Sequence, residues 1–222
     1  MSSSLTVHHL RISQSERIIW LCEELGIPYS LKTYDRDPLL APDSLRAVHW
    51  TGTAPVLEDG DIKLGESGAI VEYLLSKYGN GRLAVAPSHA DYPDYLFWLH
   101  HANSSLQPAT MSLMSARASK SSGGLAGSLM QKRFENSLAA MDKRLGACAY
   151  LGGNEVTAAD VMTVFSLTTM RLFVPFSLAE YSNVVAYLQR IGQREPYRRA
   201  MQKGDPGLEP VLSGMPPERS LL

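Results

Sequence analysis

The spacing of apolar residues changes near residue 80 of this 222-residue chain, and no other feature limits the fold as strongly. Before the change, short β-branched runs alternate with helical stripes, whereas after it the three- and four-residue spacing of helices continues. The segment between 79 and 92 lacks periodicity and is rich in Gly, Asn, Pro and Asp. We therefore predict an α/β domain over residues 1–81, a linker over 82–92, and an all-helical domain with an irregular tail over 93–222.

The first domain has the pattern of a strand, a helix and a strand, followed by a hairpin and another helix. Leu5–Leu10 is a short apolar strand, and the helical stripe that follows it ends at Gly26. Tyr29–Tyr34 alternates as a second strand, and a connection of this kind makes a right-handed parallel unit. Asp59-Gly60-Asp61 between two apolar runs predicts a hairpin, because glycine tolerates the positive φ of the turn. The order βαβ(α)ββα is that of a compact α/β module.

The second domain is predicted to contain only helices. Tyr92–Ala118 is one long periodic stretch, and Ser119–Gly127 breaks it before the next helical stripe. Thr157–Asp160 resembles a capping box and begins an almost wholly apolar helix over Val161–Phe173. The tail after Gly204 is rich in Gly and Pro, so we expect it to be irregular.

Charge and cysteine content exclude several classes of function. The chain has 21 basic and 22 acidic residues and a formal charge of −1, which gives no electrostatic basis for binding nucleic acid or an anionic membrane. No run approaches the roughly 20 consecutive apolar residues that cross a bilayer. Met1–Leu5 lacks the pattern of a signal peptide, and Cys22 and Cys148 cannot form a disulfide framework. We expect a soluble protein of a reducing compartment.

Histidine is the residue type that most suggests a metal site in this sequence. The chain has six, and the pairs His8-His9 and His100-His101 are adjacent, so their side chains project apart on a strand or a helix. No His-x-x-x-His and no Cys/His cluster with zinc spacing is present. We therefore predict no metal. Gly123–Gly127 follows no strand, and we interpret it as a helix–helix loop rather than a phosphate-binding loop.

Ser13 lies between the first strand and the first helix, where backbone N–H groups and the helix dipole favour an anion. Its hydroxyl suits a hydrogen bond to a ligand thiolate, and such a bond lowers the pKa of the thiol. The alternative is a capping box over Ser13–Glu16, in which Ser13 only satisfies the helix end. Spacing alone leaves both open and favours the cap slightly.

Two further motifs are candidates for ligand binding. A cis Ala54-Pro55 bond would leave the backbone groups of Ala54 available to an extended ligand, whereas a trans proline is an ordinary strand start. Glu66-Ser67 joins a strand to a helix and can hold the ammonium and carboxylate of an amino-acid end group. An ordinary Ser67 N-cap is the commoner explanation of that motif.

Taken in order, these motifs resemble those of the glutathione S-transferases over nearly the whole chain. Thr6–Leu10 is similar to the opening of a bacterial and fungal branch of that family. His49–Gly60 and Gly65–Ile70 resemble the glutathione site. Trp98–His100 and Thr157–Asp160 are similar to the helical domain. Each motif alone is weak, but their combined order and spacing are specific.

The resemblance implies that the first domain has the thioredoxin fold and binds glutathione as a co-substrate. Pro55 would then be cis, and Ala54 would pair with the cysteinyl backbone of glutathione. Glu66 and Ser67 would hold its γ-glutamyl end. The helical second domain would contribute the binding surface for a small electrophile.

The resemblance also assigns the remaining site residues. His49 and Thr53 occupy the positions that usually bind the glycine carboxylate, although Thr53 replaces the common lysine and Trp50 a proline. Ser13 matches the activating serine of theta-like, serine-type enzymes, with Ser15 in reserve. No cysteine lies near Ser13, which argues against thiol-transferase chemistry.

The function implied is that of a glutathione transferase, an enzyme that activates the glutathione thiolate for attack on a small hydrophobic electrophile. Conjugation, isomerisation and peroxidase chemistry all remain open, in detoxification or in biosynthesis. We expect a cytoplasmic homodimer without nucleic-acid or membrane partners. The alternative, suggested by Thr53 and Trp50, is a binding or interaction protein that keeps the fold but has little catalytic activity.

Overall fold

A computed structural model of the protein describes residues 5–118, 124–218 and 220–221. The chain divides into two compact units. Unit 1 lies within Met1–Ala84 and Gln193–Glu209, and unit 2 within Val85–Gly192 and Pro210–Leu222. The change of unit after Ala84 falls inside the predicted linker, but the return of 193–209 to unit 1 was not predicted. The boundaries at 81 and 93 stay a prediction.

The strands of the described residues form one mixed sheet in unit 1, and the helices are distributed over both units. In chain order the elements are β1 (Leu5–Leu10), α1 (Glu16–Leu25), β2 (Ser30–Tyr34), α2 (Asp43–Arg46), β3 (Val56–Asp59), β4 (Ile62–Gly65), α3 (Ser67–Tyr78), α4 (Tyr92–His101), α5 (Gln107–Ala118), α6 (Gly124–Leu145), α7 (Ala158–Leu167), α8 (Ser182–Gly192) and α9 (Glu195–Gly204).

The sheet of unit 1 has the strand order β2-β1-β3-β4. β1 pairs in parallel with β2, while β3 is antiparallel to both β1 and β4. The predicted parallel strand–helix–strand unit and the predicted hairpin are therefore confirmed. Gly60 has a φ of 60° in the hairpin turn, and Gly26 has a φ of 63° where α1 ends, as their positions in the sequence predict. This is the thioredoxin-like fold.

Helix α9 completes the core of unit 1 by packing against α1. All ten residues of α1 are buried. The ring of Trp20 meets the ring of Tyr197 edge to face, with centroids 5.1 Å apart. Gly204 allows close approach, because a Cβ there would lie 2.9 Å from the Cδ1 atom of Ile19. The C-terminal segment 193–209 is thus part of the first unit's core.

Unit 2 contains the predicted helices, with two corrections. The stretch Tyr92–Ala118 is helical throughout, with a π-helical segment at Ala102–Leu106. The predicted loop over Gly123–Gly127 is wrong for the described part, because α6 begins at Gly124. Ser119–Gly123 lies outside the described residues. None of the helices in the described ranges is both long and apolar enough to cross a membrane.

The second correction concerns the end of the apolar helix α7. The predicted capping box is confirmed, since the backbone N–H of Thr157 donates to Asp160 at 2.8 Å. The helix ends at Leu167 rather than Phe173, because Thr168 leaves helical geometry with φ −122° and ψ −92°. The buried guanidinium of Arg171 then donates to backbone carbonyls of later turns, which draws the chain into a 3₁₀ turn instead.

Candidate active site

The sheet register brings the predicted site motifs to one edge of the sheet in unit 1. His8 near the end of β1 pairs with Val56 at the start of β3. Val56 in turn pairs with Gly65 at the end of β4. The segments that follow β1, precede β3 and follow β4 therefore lie at the same end of the sheet. These segments contain Ser13, Ala54-Pro55 and Glu66-Ser67.

The Ser13 hydroxyl is hydrogen-bonded within the loop that connects β1 to α1. Its Oγ donates to the carbonyl of Leu10 at 2.7 Å and lies 2.7 Å from the Oγ of Ser15. Helix α1 begins at Glu16 with Ser15 as N-cap and no side-chain cap bond, so the capping-box alternative for Ser13 is wrong. Ser13 is 7% exposed and Ser15 is fully buried. Ser13 thus lies nearer to solvent than Ser15.

The backbone just before Ser13 is held in an uncommon conformation. Ile12 has a φ of 53°, in the left-handed region that β-branched residues avoid. Its N–H donates to the Oδ1 atom of Asp205 at 3.0 Å, and its carbonyl accepts from Arg36 at 2.7 Å. Strained residues fixed from both sides in this way occur preferentially at functional sites.

Gln14 connects the Ser13 loop to the proline loop. The Ala54-Pro55 peptide is cis, as the resemblance implies. The Nε2 group of Gln14 donates to the Ala54 carbonyl at 3.1 Å, so one of the two groups predicted to be available to a ligand already has a partner within the protein. A carbonyl oxygen has a second lone pair, which leaves it able to accept one more hydrogen bond.

Arg17 is a buried site residue that the sequence analysis missed. Its Nη1 atom donates to the Oε1 atom of Gln14 at 3.2 Å and to the Oγ atom of Ser67 at 3.3 Å. Burial lowers the pKa of this guanidinium to about 10, which leaves it charged at neutral pH. The one signal in the sequence that Arg17 would be buried was its spacing of four residues from the apolar Leu21, which puts both residues on the same side of the helix.

Glu66 and Ser67 differ in their environments. Glu66 is exposed and has a φ of 64°. It is the N-cap of α3, and Ser67 is the first helical residue, so the explanation of Ser67 as an N-cap is wrong. The Ser67 hydroxyl accepts a hydrogen bond from Arg17 instead. A side chain anchored in this way is fixed in position at the start of a helix.

His49 lies beside the end of β4, next to Glu66. A Cβ on Gly65 would come within 2.9 Å of the His49 Cε1 atom, so glycine is needed for this approach. The Nδ1 atom of His49 lies 2.9 Å from the Oγ1 atom of Thr51. Thr53 is exposed, and Trp50 is 89% exposed with its ring 5.5 Å from the His49 ring.

The cysteine and histidine side chains that could be reactive or bind a metal are instead held by contacts within the protein. Burial raises the pKa of the Cys22 thiol to about 12, so this cysteine is held as a thiol. His8 and His9 point to different partners, the Tyr34 hydroxyl and the Ser15 hydroxyl. Within the described ranges, no three His, Cys, Asp or Glu residues are grouped so that they could hold a metal ion.

Comparison with known proteins identifies the class to which this fold and site belong. Residues 7–82 match the profile of the glutathione S-transferase N-terminal domain, and residues 130–195 match that of the C-terminal domain. Glutathione S-transferase 3 of Schizosaccharomyces pombe is 28% identical over 213 residues, covering 90% of this chain and 87% of that protein.

Solved structures agree with the sequence relatives. A glutathione S-transferase of Actinobacillus pleuropneumoniae is 32% identical, with a TM-score of 0.83 over 92% of this chain and 94% of that one. A sphingomonad glutathione S-transferase in complex with glutathione shares the fold at 22% identity, with a TM-score of 0.72 over 90% of this chain and 98% of that one. The chain belongs to the glutathione S-transferase family.

Proposed function

We propose that this glutathione transferase binds glutathione at the sheet edge of unit 1 and activates its thiol with Ser13. One observation supports this most directly. Gln14 and Arg17 link the Ser13 loop, the cis-proline loop and the start of α3 through hydrogen bonds. Three segments that are far apart in sequence are thereby held as one surface with hydroxyl, carbonyl and carboxylate groups.

Each predicted residue has a group suited to a different part of glutathione. The second lone pair of the Ala54 carbonyl can accept from the cysteinyl N–H, as in strand-like peptide recognition. Ser67 lies at the start of α3, where N–H groups favour the γ-glutamyl carboxylate, and the exposed carboxylate of Glu66 suits the ammonium. His49 and Thr53 are proposed to hold the glycine carboxylate.

The thiol would be bound at Ser13. A hydroxyl that donates to a developing thiolate stabilises the anion by about 1.5–3 kcal/mol, which corresponds to about one to two pKa units. The thiolate then attacks a small hydrophobic electrophile. We propose a theta-like, serine-type enzyme that acts as a cytoplasmic homodimer, in detoxification or in biosynthetic conjugation, with peroxidase activity as a further chemistry open to the same thiolate.

Replacement of Ser13 tests this proposal. Ser13→Ala should raise the pKa of the thiol of bound glutathione by about one to two units, measured from its ultraviolet thiolate absorbance. The kcat/KM for an activated chloroarene should fall at least about tenfold. Ser76→Ala, on the exposed side of α3, is the matched control and should change neither quantity.

Two results would contradict the proposal. An unchanged thiol pKa in Ser13→Ala would remove Ser13 from the mechanism, and Ser15→Ala would then be examined as its replacement. Failure of the wild-type protein to bind glutathione at millimolar concentration in calorimetry would reject the transferase function itself and favour a binding protein.

A further inference from the structure

Behind Ser13, a continuous line of hydrogen bonds enters the core of unit 1. The Ser13 Oγ atom lies 2.7 Å from the Ser15 Oγ atom, which lies 2.8 Å from the Nδ1 atom of His9. The Nε2 atom of His9 lies 3.2 Å from the Oδ2 atom of Asp205. All four residues are buried, and Asp205 follows α9 while His9 belongs to β1.

Counting protons fixes the direction of these bonds before a ligand binds. An ionised Asp205 can only accept, so the Nε2–H group of a neutral His9 must donate to it. The Nδ1 atom is then an acceptor, and the Ser15 hydroxyl must donate to it. The Ser15 oxygen is left to accept from Ser13, as well as from the backbone N–H of Leu10 at 3.2 Å. The Ser15 proton therefore points to His9, and the single Ser13 proton is shared between the Ser15 oxygen and the Leu10 carbonyl, each 2.7 Å from the Ser13 Oγ atom.

From this arrangement we propose that Asp205, His9, Ser15 and Ser13 form a proton relay in which His9 is the final acceptor of the glutathione thiol proton. The inference rests on the proposed function, since it requires the thiol at Ser13. The S–H bond breaks, and its proton binds the Ser13 oxygen. The Ser13 proton passes to the Ser15 oxygen, and the Ser15 proton passes to Nδ1 of His9.

The products are a thiolate and an imidazolium, so the total charge is unchanged. After transfer, all the donors face outward: His9 donates to Ser15, Ser15 to Ser13, and Ser13 to the thiolate. The same hydroxyl that passes the proton thereby becomes the donor that stabilises the anion. His9 is thus a base that acts through two serines, and Asp205 is a positioning residue.

His9 has a carboxylate on one side that can pair with an imidazolium, and a cation, Arg36, interacts with the same carboxylate. Asp205 lies on the Nε2 side of His9, so the buried cation would form within an ion pair rather than alone. A Cβ at Gly204 would lie 3.2 Å from Nε2, so the glycine leaves room for this contact. Arg36, which follows β2, is a cation that interacts with Asp205, while its guanidinium also donates to the backbone of the Ser13 loop.

The first test follows the proton on His9 by nitrogen NMR of histidine-labelled protein. In the free protein, His9 should be the neutral tautomer with its hydrogen on Nε2. Saturating glutathione should convert it to the imidazolium, whereas S-methyl glutathione, which has no thiol proton, should leave it neutral. His8→Gln on the same strand assigns the signals and serves as a control, because His8 bonds to Tyr34 instead.

The second test uses Asp205→Asn, which keeps the size of the side chain. The carboxamide oxygen should retain the Ile12 N–H bond, so the amide nitrogen must face His9 and donate to Nε2. His9 then has its hydrogen on Nδ1 and cannot accept another proton there. Replacing a carboxylate beside a histidine by an amide is expected to impose this other tautomer. The thiol pKa should rise by about one unit, and kcat/KM at neutral pH should fall about tenfold.

Calorimetry in buffers of different ionisation enthalpy measures how many protons are released when glutathione binds. This number distinguishes the relay from a merely structural role of His9 and Asp205. The wild-type protein should form thiolate with close to no net proton release, whereas Asp205→Asn should release one proton for each thiolate that it forms. Wild-type release of one proton per thiolate, with His9 still neutral, would overturn the relay while leaving the transferase function intact. Absence of glutathione binding would instead reject the proposed function and the relay together.

Discussion

At the scale of single residues, Arg17 shows how one buried side chain can determine the geometry of a site. Its guanidinium bonds to Gln14 and Ser67, and Gln14 bonds to Ala54. Burying a cation is costly unless several acceptors surround it, so these bonds are needed to keep Arg17 in place. The same bonds fix the Ser67 hydroxyl and the proline loop.

Arg17→Met should weaken glutathione binding, because Ser67 and Gln14 lose the donor that orients them. With a net contribution of about 1–1.5 kcal/mol for such a bond, we expect the Kd for glutathione to rise about 5–13-fold. Calorimetric titration gives this value directly. The matched control is Arg82→Met, whose guanidinium donates to the Leu25 carbonyl at 2.9 Å at the other end of α1. Arg82→Met should lower the stability of the protein and leave the Kd for glutathione unchanged. An unchanged Kd in Arg17→Met would contradict the role given to Arg17.

Residue environments were the part of the site that the sequence predicted least well. The motifs containing Ser13 and Ser67 were located from local pattern, which left a ligand role and a helix cap open for each and favoured the cap, and the structure forms neither cap. The Ser67 hydroxyl bonds instead to Arg17, a tertiary partner about which a local pattern contains no information. His9 and Asp205 are 196 positions apart, so no spacing rule joins them.

At the scale of elements, charged side chains connect α1 to α9. The buried carboxylate of Glu23 accepts from Arg199 at 2.8 Å, Lys203 at 2.5 Å and the Tyr29 hydroxyl at 2.7 Å. Burial alone would raise the pKa of Glu23, but the hydrogen bonds from these three groups outweigh it and lower the pKa below its usual value of 4.5. The ionised form is therefore stabilised in the folded protein.

Glu23→Gln should destabilise the protein in a manner that depends on pH. A carboxyl group with a lowered pKa adds stability that is fully present above its unfolded pKa and is lost as pH falls through its folded pKa. We expect a loss of about 1–3 kcal/mol in the free energy of unfolding at neutral pH, shrinking toward zero in acid. Urea denaturation at several pH values measures it.

The control for this prediction is Glu195→Gln, which removes a mostly exposed partner of the same Arg199. Exposed pairs of this kind contribute less than about 1 kcal/mol. An equal loss in both variants, or a Glu23→Gln deficit that does not shrink in acid, would contradict the pKa argument.

Element boundaries were predicted correctly where a local signal fixes them. Gly26 ends α1 and Gly60 makes the hairpin turn, because both need a positive φ that the sequence itself reveals. Boundaries set by distant contacts were missed. Helix α7 ends at Leu167 although its apolar pattern continues, because Arg171 binds the carbonyls of Phe176 and Ser213.

At the scale of the whole molecule, the chain leaves unit 1 at residue 84 and returns to it at 193. The sequence predicted the change from α/β to helical pattern, but a returning segment has the same helical periodicity as its neighbours. Only its packing partners distinguish it. Segment 193–209 brings Tyr197 to Trp20, Arg194 to Glu24 at 2.7 Å, and Asp205 to His9.

A fragment of residues 1–84 should therefore fail to fold alone, although it contains every strand of the sheet described above. Without α9, the fragment exposes Ile19 and Trp20 and loses Tyr197, and burial of each such side chain contributes about 1.5–3 kcal/mol. That sum approaches the whole stability of a small domain, about 5–15 kcal/mol. Joining 193–209 to the fragment through a flexible Gly/Ser linker should restore the fold, whereas a scrambled 193–209 sequence should not. Near-ultraviolet circular dichroism and the dispersion of amide NMR signals measure the folding of the fragment alone and of the linked proteins. A well-dispersed spectrum from the fragment alone would show that α9 is dispensable to unit 1.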